Sequence, residues 1–107
     1  MDIELLVVND CPSQETAAAL LRHVLDEAGL PGTPIRTVTV TSQRQAEGLG
    51  FTGSPTIRID GRDPFAEPGR PAGLSCRLYP TASGLAGLPE PGPLRQALER
   101  AARTPHT

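Results

Sequence analysis

The hydrophobic period of this chain changes twice within its first forty residues, and that change constrains the fold more than any other feature. Ile3 to Val8 is an apolar run broken only by Glu4, the pattern of a strand covered on both faces. Asn9 and Asp10 end it. From Pro12 onward, Ala17, Leu20, Leu21, Val24, Leu25 and Ala28 recur at helical spacing on one stripe, and Gly29 provides a stop. Ile35 to Val40, rich in β-branched residues, predicts a second strand. A strand, a crossover helix and a second strand in one sheet imply parallel strands joined by a right-handed connection.

The remainder is shorter in period and richer in turns. Ser42 and Gln45 have capping-box spacing, which predicts a helix from about Gln43 to Leu49 with Gly50 as its stop. Thr56 to Ile59 predicts a third strand, and Asp60-Gly61 a tight hairpin turn. Glycine (11) and proline (12) are concentrated after position 60, and Pro64 to Gly73 cannot pair continuously. The returning antiparallel strand is therefore expected at Leu74 to Tyr79. A loop over Thr81 to Gly92 and a closing helix over Pro93 to Arg103 follow. The expected architecture is α/β, with a central four-stranded mixed sheet in the order β-α-β-α-β-β-α, flanked by helices. There is no internal repeat.

A chain of 107 residues suits one compact domain, expected over 1–103, with 104–107 as a frayed tail. Aromatic residues make up only 3%, so aliphatic side chains must supply the interior. A net charge of −2 gives no general attraction to phosphate backbones, which argues against nucleic acid as a partner. The opening MDIELLVV is acidic where a secretory signal is basic, and its apolar run is too short for a membrane span. The expected location is the cytoplasm, with no membrane partner.

Two cysteines, Cys11 and Cys76, do not make a disulfide scaffold; a reactive thiol, a metal ligand and an inert core residue are the competing roles. Pro12 suits a first helical position, which puts Cys11 at or beside an N-cap. There, unsatisfied N–H groups and the helix dipole favour an anion, hence a thiolate, while the carboxylate of Asp10 opposes it. The plain alternative is that Cys11 packs as a small apolar residue.

The element order, the cysteine opening the first helix, and the Gly53-Ser54-Pro55-Thr56 step entering the third strand resemble the thioredoxin superfamily. The resemblance implies that Pro55 is a cis-proline facing Cys11, and that Pro12, Ser13, Gln14, Ser54, Pro55 and Thr56 line a substrate groove. The chain departs from the dithiol pattern, because Cys11-Pro12-Ser13-Gln14 carries Gln14 where a resolving cysteine would stand.

The leading expectation is thiol-disulfide exchange through Cys11 with Cys76 as candidate resolving thiol, acting on a protein or small-molecule thiol or disulfide, with no cofactor. A second possibility is soft-metal binding by Cys11, Cys76 and Asp10; organomercurial lyases resemble this chain in that inventory of two cysteines and an aspartate. A third is a non-catalytic interaction module. Cys76 has its own plain alternative, a buried strand cysteine. His23, on the flank of the first helix's stripe, is expected to be solvated. Phe65, among the prolines of Arg62 to Arg70, is expected to be exposed, on a solvated insertion or a lid.

Overall fold

In the structure, a computed structural model describing residues 1–103, the chain forms β1 (Ile3–Val7), α1 (Gln14–Glu27), β2 (Ile35–Thr39), α2 (Gln43–Leu49), β3 (Thr56–Ile59), β4 (Tyr79–Thr81), β5 (Gly84–Ala86) and α3 (Pro91–Arg103). The expected tail, 104–107, lies outside the described residues. No helix among the described residues is long and apolar enough to cross a membrane.

The main sheet has the order β2-β1-β3, with β1 parallel to β2 and antiparallel to β3. Every residue of the central strand β1 is buried. Ile3, Leu5 and Val7 pack into the larger core with Leu21, Val24 and Leu25 of α1, Ile57 and Ile59 of β3, and Leu94 and Leu98 of α3. Leu6 faces the other way, into a smaller cluster with Val40, Ala46 and Phe51. Each fully buried aliphatic side chain contributes on the order of 1.5–3 kcal/mol, so this layer carries most of the apolar stabilisation. Glu4, the one polar residue of β1, is aligned with Arg36 of β2 and Arg58 of β3. Its carboxylate lies 2.6 Å from Arg36 and 3.6 Å from Arg58. Cross-strand ion pairing is what permits a charge at that buried position.

The helix termini follow local chemistry. The Ser42 hydroxyl accepts from the Gln45 N–H at 3.1 Å, while the Gln45 amide oxygen accepts from the Thr41 N–H at 2.9 Å. Gly50, at φ +66°, closes α2 in the left-handed region. In α1 the N-cap is Ser13, so the helix begins later than Pro12 suggests.

The expected four-stranded central sheet does not form. Asp60 and Gly61 both take positive φ and make the tight turn, but the return is a single antiparallel bridge from Ile59 to Arg62. Pro64 follows and has no N–H to continue a ladder. The expected fourth strand, Leu74 to Tyr79, does not return along β3 either. Only Tyr79 joins a strand, β4, which pairs in a separate two-stranded hairpin with β5, a strand in the stretch expected to be loop. The residues before Tyr79 run instead beside the segment leading into β3. The Gly73 N–H donates to the Phe51 carbonyl at 3.1 Å, Ser54 N–H to Ser75 carbonyl at 2.8 Å, and Arg77 N–H to Ser54 carbonyl at 3.0 Å.

Candidate functional site around Cys11, Pro55 and Cys76

The end of β1, which leads to Cys11, and the start of β3, which follows Pro55, lie together at one end of the main sheet. β1 ends at Val7 and the chain turns towards α1 through Cys11, while β3 begins at Thr56, opposite Leu6. The antiparallel register therefore puts the start of β3 and the end of β1 together. The Ser54 hydroxyl strengthens that junction by accepting the Val8 N–H at 3.1 Å. The Ser54–Pro55 peptide bond is cis, and both residues are buried.

Cys11 lies in the turn before α1, two residues ahead of the N-cap. Its carbonyl accepts the Gln14 N–H at 3.2 Å, and the Ser13 carbonyl takes the Ala17 N–H at 2.8 Å. Asp10, exposed and at φ +57°, bends the chain into this turn. Cys11 is half-buried and packs against the larger core. It is neither sealed within the core nor fully exposed. Pro12 is exposed, while Ser13 and Gln14 are half-buried. Gly87, just beyond β5, passes over the turn so closely that a Cβ placed there would sit 3.3 Å from the Ser13 hydroxyl.

Cys76 is exposed, and both cysteines are free thiols. It does not occupy the buried strand position considered from the sequence, but it is fixed by backbone pairing, bridging Ser54 in parallel. Around it exposure alternates: Cys76, Leu78 and Pro80 face solvent, while Arg77 and Tyr79 are buried.

Arg77, the residue after Cys76, organises this part of the molecule. It is 3% exposed. Its guanidinium donates to the Asp63 carboxylate at 2.6 and 3.4 Å, to the Thr56 hydroxyl at 3.0 Å and to the Phe65 carbonyl at 2.7 Å. It also stacks over the Tyr79 ring, 4.5 Å from the centroid. The Thr56 hydroxyl donates in turn to the Gly53 carbonyl at 2.7 Å, and the Tyr79 hydroxyl donates to the carbonyl of Pro55. A planar, forked cation can bind a carboxylate and two further acceptors together, which an ammonium cannot match in geometry. Burial drives the Tyr79 phenol far above its ordinary value; the Arg77 charge opposes this and the Asp63 charge adds to it.

Phe65 is not the exposed aromatic expected from its proline-rich surroundings. It is half-buried against the core and meets Tyr79 edge to face, with ring centroids 5.6 Å apart. The loop is thus anchored at Asp63 and Phe65. No local signal in the sequence pairs Asp63 with Arg77, since neither lies in a periodic element; an arginine between Cys76 and Leu78, two residues before the sole tyrosine, is the available hint. His23 is solvent-facing, 3.4 Å from Glu27 one helical turn on. Among the described residues no three His, Cys, Asp or Glu side chains come together to hold a metal ion. Cys11, Cys76 and Asp10 therefore do not form the three-donor set considered from the sequence. Compared with known protein families, curated proteins and solved structures, the chain matches none.

Proposed function

We propose that this protein is a thiol-disulfide exchange protein in which Cys11 is the attacking sulfur and Cys76 the resolving one. The observation that carries the reading is the backbone bridge from Ser54 to Cys76. It holds an exposed thiol next to Pro55, at the end of the sheet where β1 leads into Cys11. The resemblance to the thioredoxin superfamily, carried by Cys11 before α1 and the Ser54-Pro55-Thr56 step, supports the same chemistry.

In the first step the Cys11 thiolate attacks one sulfur of a substrate disulfide. The substrate S–S bond breaks, a mixed disulfide forms on Cys11, and the other substrate half leaves as a thiolate that takes up a proton. In the second step the Cys76 thiolate attacks the Cys11 sulfur and releases the remaining half. The substrate is reduced by two electrons and the chain is left with a Cys11–Cys76 disulfide. Return to the dithiol requires an external dithiol reductant, which runs the same two steps in reverse.

Treatment of the reduced chain with a small disulfide tests the proposal. The intact mass is expected to fall by about 2 Da, as pairing of two thiols requires. Cys76→Ser is expected to stop at a mixed disulfide on Cys11, and Cys11→Ser to lose pairing. Two persistent free thiols in the unaltered chain would contradict the proposal.

A further inference from the structure

We propose that the exchange site takes a small disulfide, one with little peptide backbone to pair, and disfavours extended polypeptides; this rests on the exchange reading given above. An extended peptide binds a sheet edge by completing main-chain hydrogen bonds, and those bonds supply its affinity whatever its side chains. Beside Pro55 the groups that would make them are already used. The Ser54 N–H donates to the Ser75 carbonyl and the Ser54 carbonyl accepts the Arg77 N–H. The bond from Gly73 to Phe51 extends the same pairing. The chain has laid its own extended segment where a peptide would lie, and Cys76 occupies the position opposite Ser54.

Two features keep that segment in place. Gly53 has no side chain, and a Cβ there would stand 2.9 Å from the Arg77 Cβ and 3.2 Å from its backbone, so the two segments touch with nothing between them. The Arg77 guanidinium, buried on Asp63, Thr56 and Phe65, would have to leave its partners for the segment to peel away, stranding a partly buried carboxylate. A peptide must therefore displace an anchored segment before it can pair. A small disulfide needs only a path for one of its sulfurs.

The test uses the Cys76→Ser chain, in which the mixed disulfide on Cys11 persists. Its formation is timed by mass spectrometry with bis(2-hydroxyethyl) disulfide. The comparison is a short extended peptide whose cysteine carries the same 2-mercaptoethanol group, so that the leaving thiol is the same. The small disulfide is expected to react about tenfold faster or more, the difference that two uncompensated backbone hydrogen bonds make. Gly53→Ala, which pushes the Arg77 backbone away, is expected to narrow the gap; Gly73→Pro, which removes the N–H bonded to Phe51, is expected to act in the same direction and serves if Gly53→Ala does not fold. Equal rates for peptide and small disulfide in the Cys76→Ser chain would overturn the inference and leave exchange at Cys11 standing. No reaction at Cys11 with either reagent would overturn the exchange reading itself.

Discussion

The two halves of this molecule are held together by different physics. From β1 to β3 the chain is stabilised by periodic apolar burial: Leu5, Val7, Leu21, Val24 and Leu25 are all fully buried in a layer that no single residue dominates. From Asp60 to Tyr79 regular structure is nearly absent, and the chain is organised by one buried cation gripping Asp63, Thr56 and the Phe65 carbonyl. A periodic core spreads its stability over many contacts of similar size, and volume-conserving exchanges among them cost little. A single buried ion-pair network concentrates stability, because removing one partner leaves the other charged and unsolvated.

The sharpest way to break this contrast is Arg77→Leu. It strands the Asp63 carboxylate, releases the Phe65 carbonyl and frees the segment paired with Ser54, and is expected to cost about 3–5 kcal/mol. Urea unfolding followed by circular dichroism measures it. A loss below about 1 kcal/mol, typical of an exposed ion pair, would show that the second half is not held by this cation.

A smaller effect is expected at Tyr79. Because its folded-state phenol is raised, chiefly by burial, the folded chain holds a proton that the unfolded chain releases near the ordinary value of 10.0. The corresponding stability is intact below about pH 10 and falls as pH rises beyond it. Tyr79 is the sole tyrosine and there is no tryptophan, so phenolate absorbance reports this group alone. It is expected to rise only as the chain unfolds, and Tyr79→Phe, losing one hydrogen bond worth about 1 kcal/mol at neutral pH, should weaken the alkaline dependence. Ionisation near pH 10 in the folded chain would contradict the burial of this ring and its bond to Pro55.

The same contrast explains what the sequence made legible. The strands Ile3–Val7, Ile35–Thr39 and Thr56–Ile59 and the helix Gln43–Leu49 follow from period, β-branching and caps, all of them local signals. Asp60-Gly61 announced its turn, because few residue pairs accept two successive positive φ values. The fourth strand expected after that turn does not form there, because a turn signal says nothing of whether its second arm can pair; Pro64 ends that arm, and Asp63 and Arg77, fourteen residues apart, direct the chain towards Ser54. Short β5, with only Gly84, Leu85 and Ala86, gives too little pattern to be read. At the site, Cys11, Ser54, Pro55 and Cys76 were each identifiable by type. The bridge joining Ser54 to Cys76 was not, since backbone pairing at a single residue leaves no trace in side-chain sequence.

That bridge is the central claim, and amide hydrogen exchange resolved by residue tests it most directly. The Ser54 and Arg77 N–H groups, each bonded to a carbonyl of the facing segment, are expected to exchange as slowly as the Val40 N–H bonded to Val7 in the main sheet. Exchange of both at the rate of an open chain, with Val40 still protected, would contradict it.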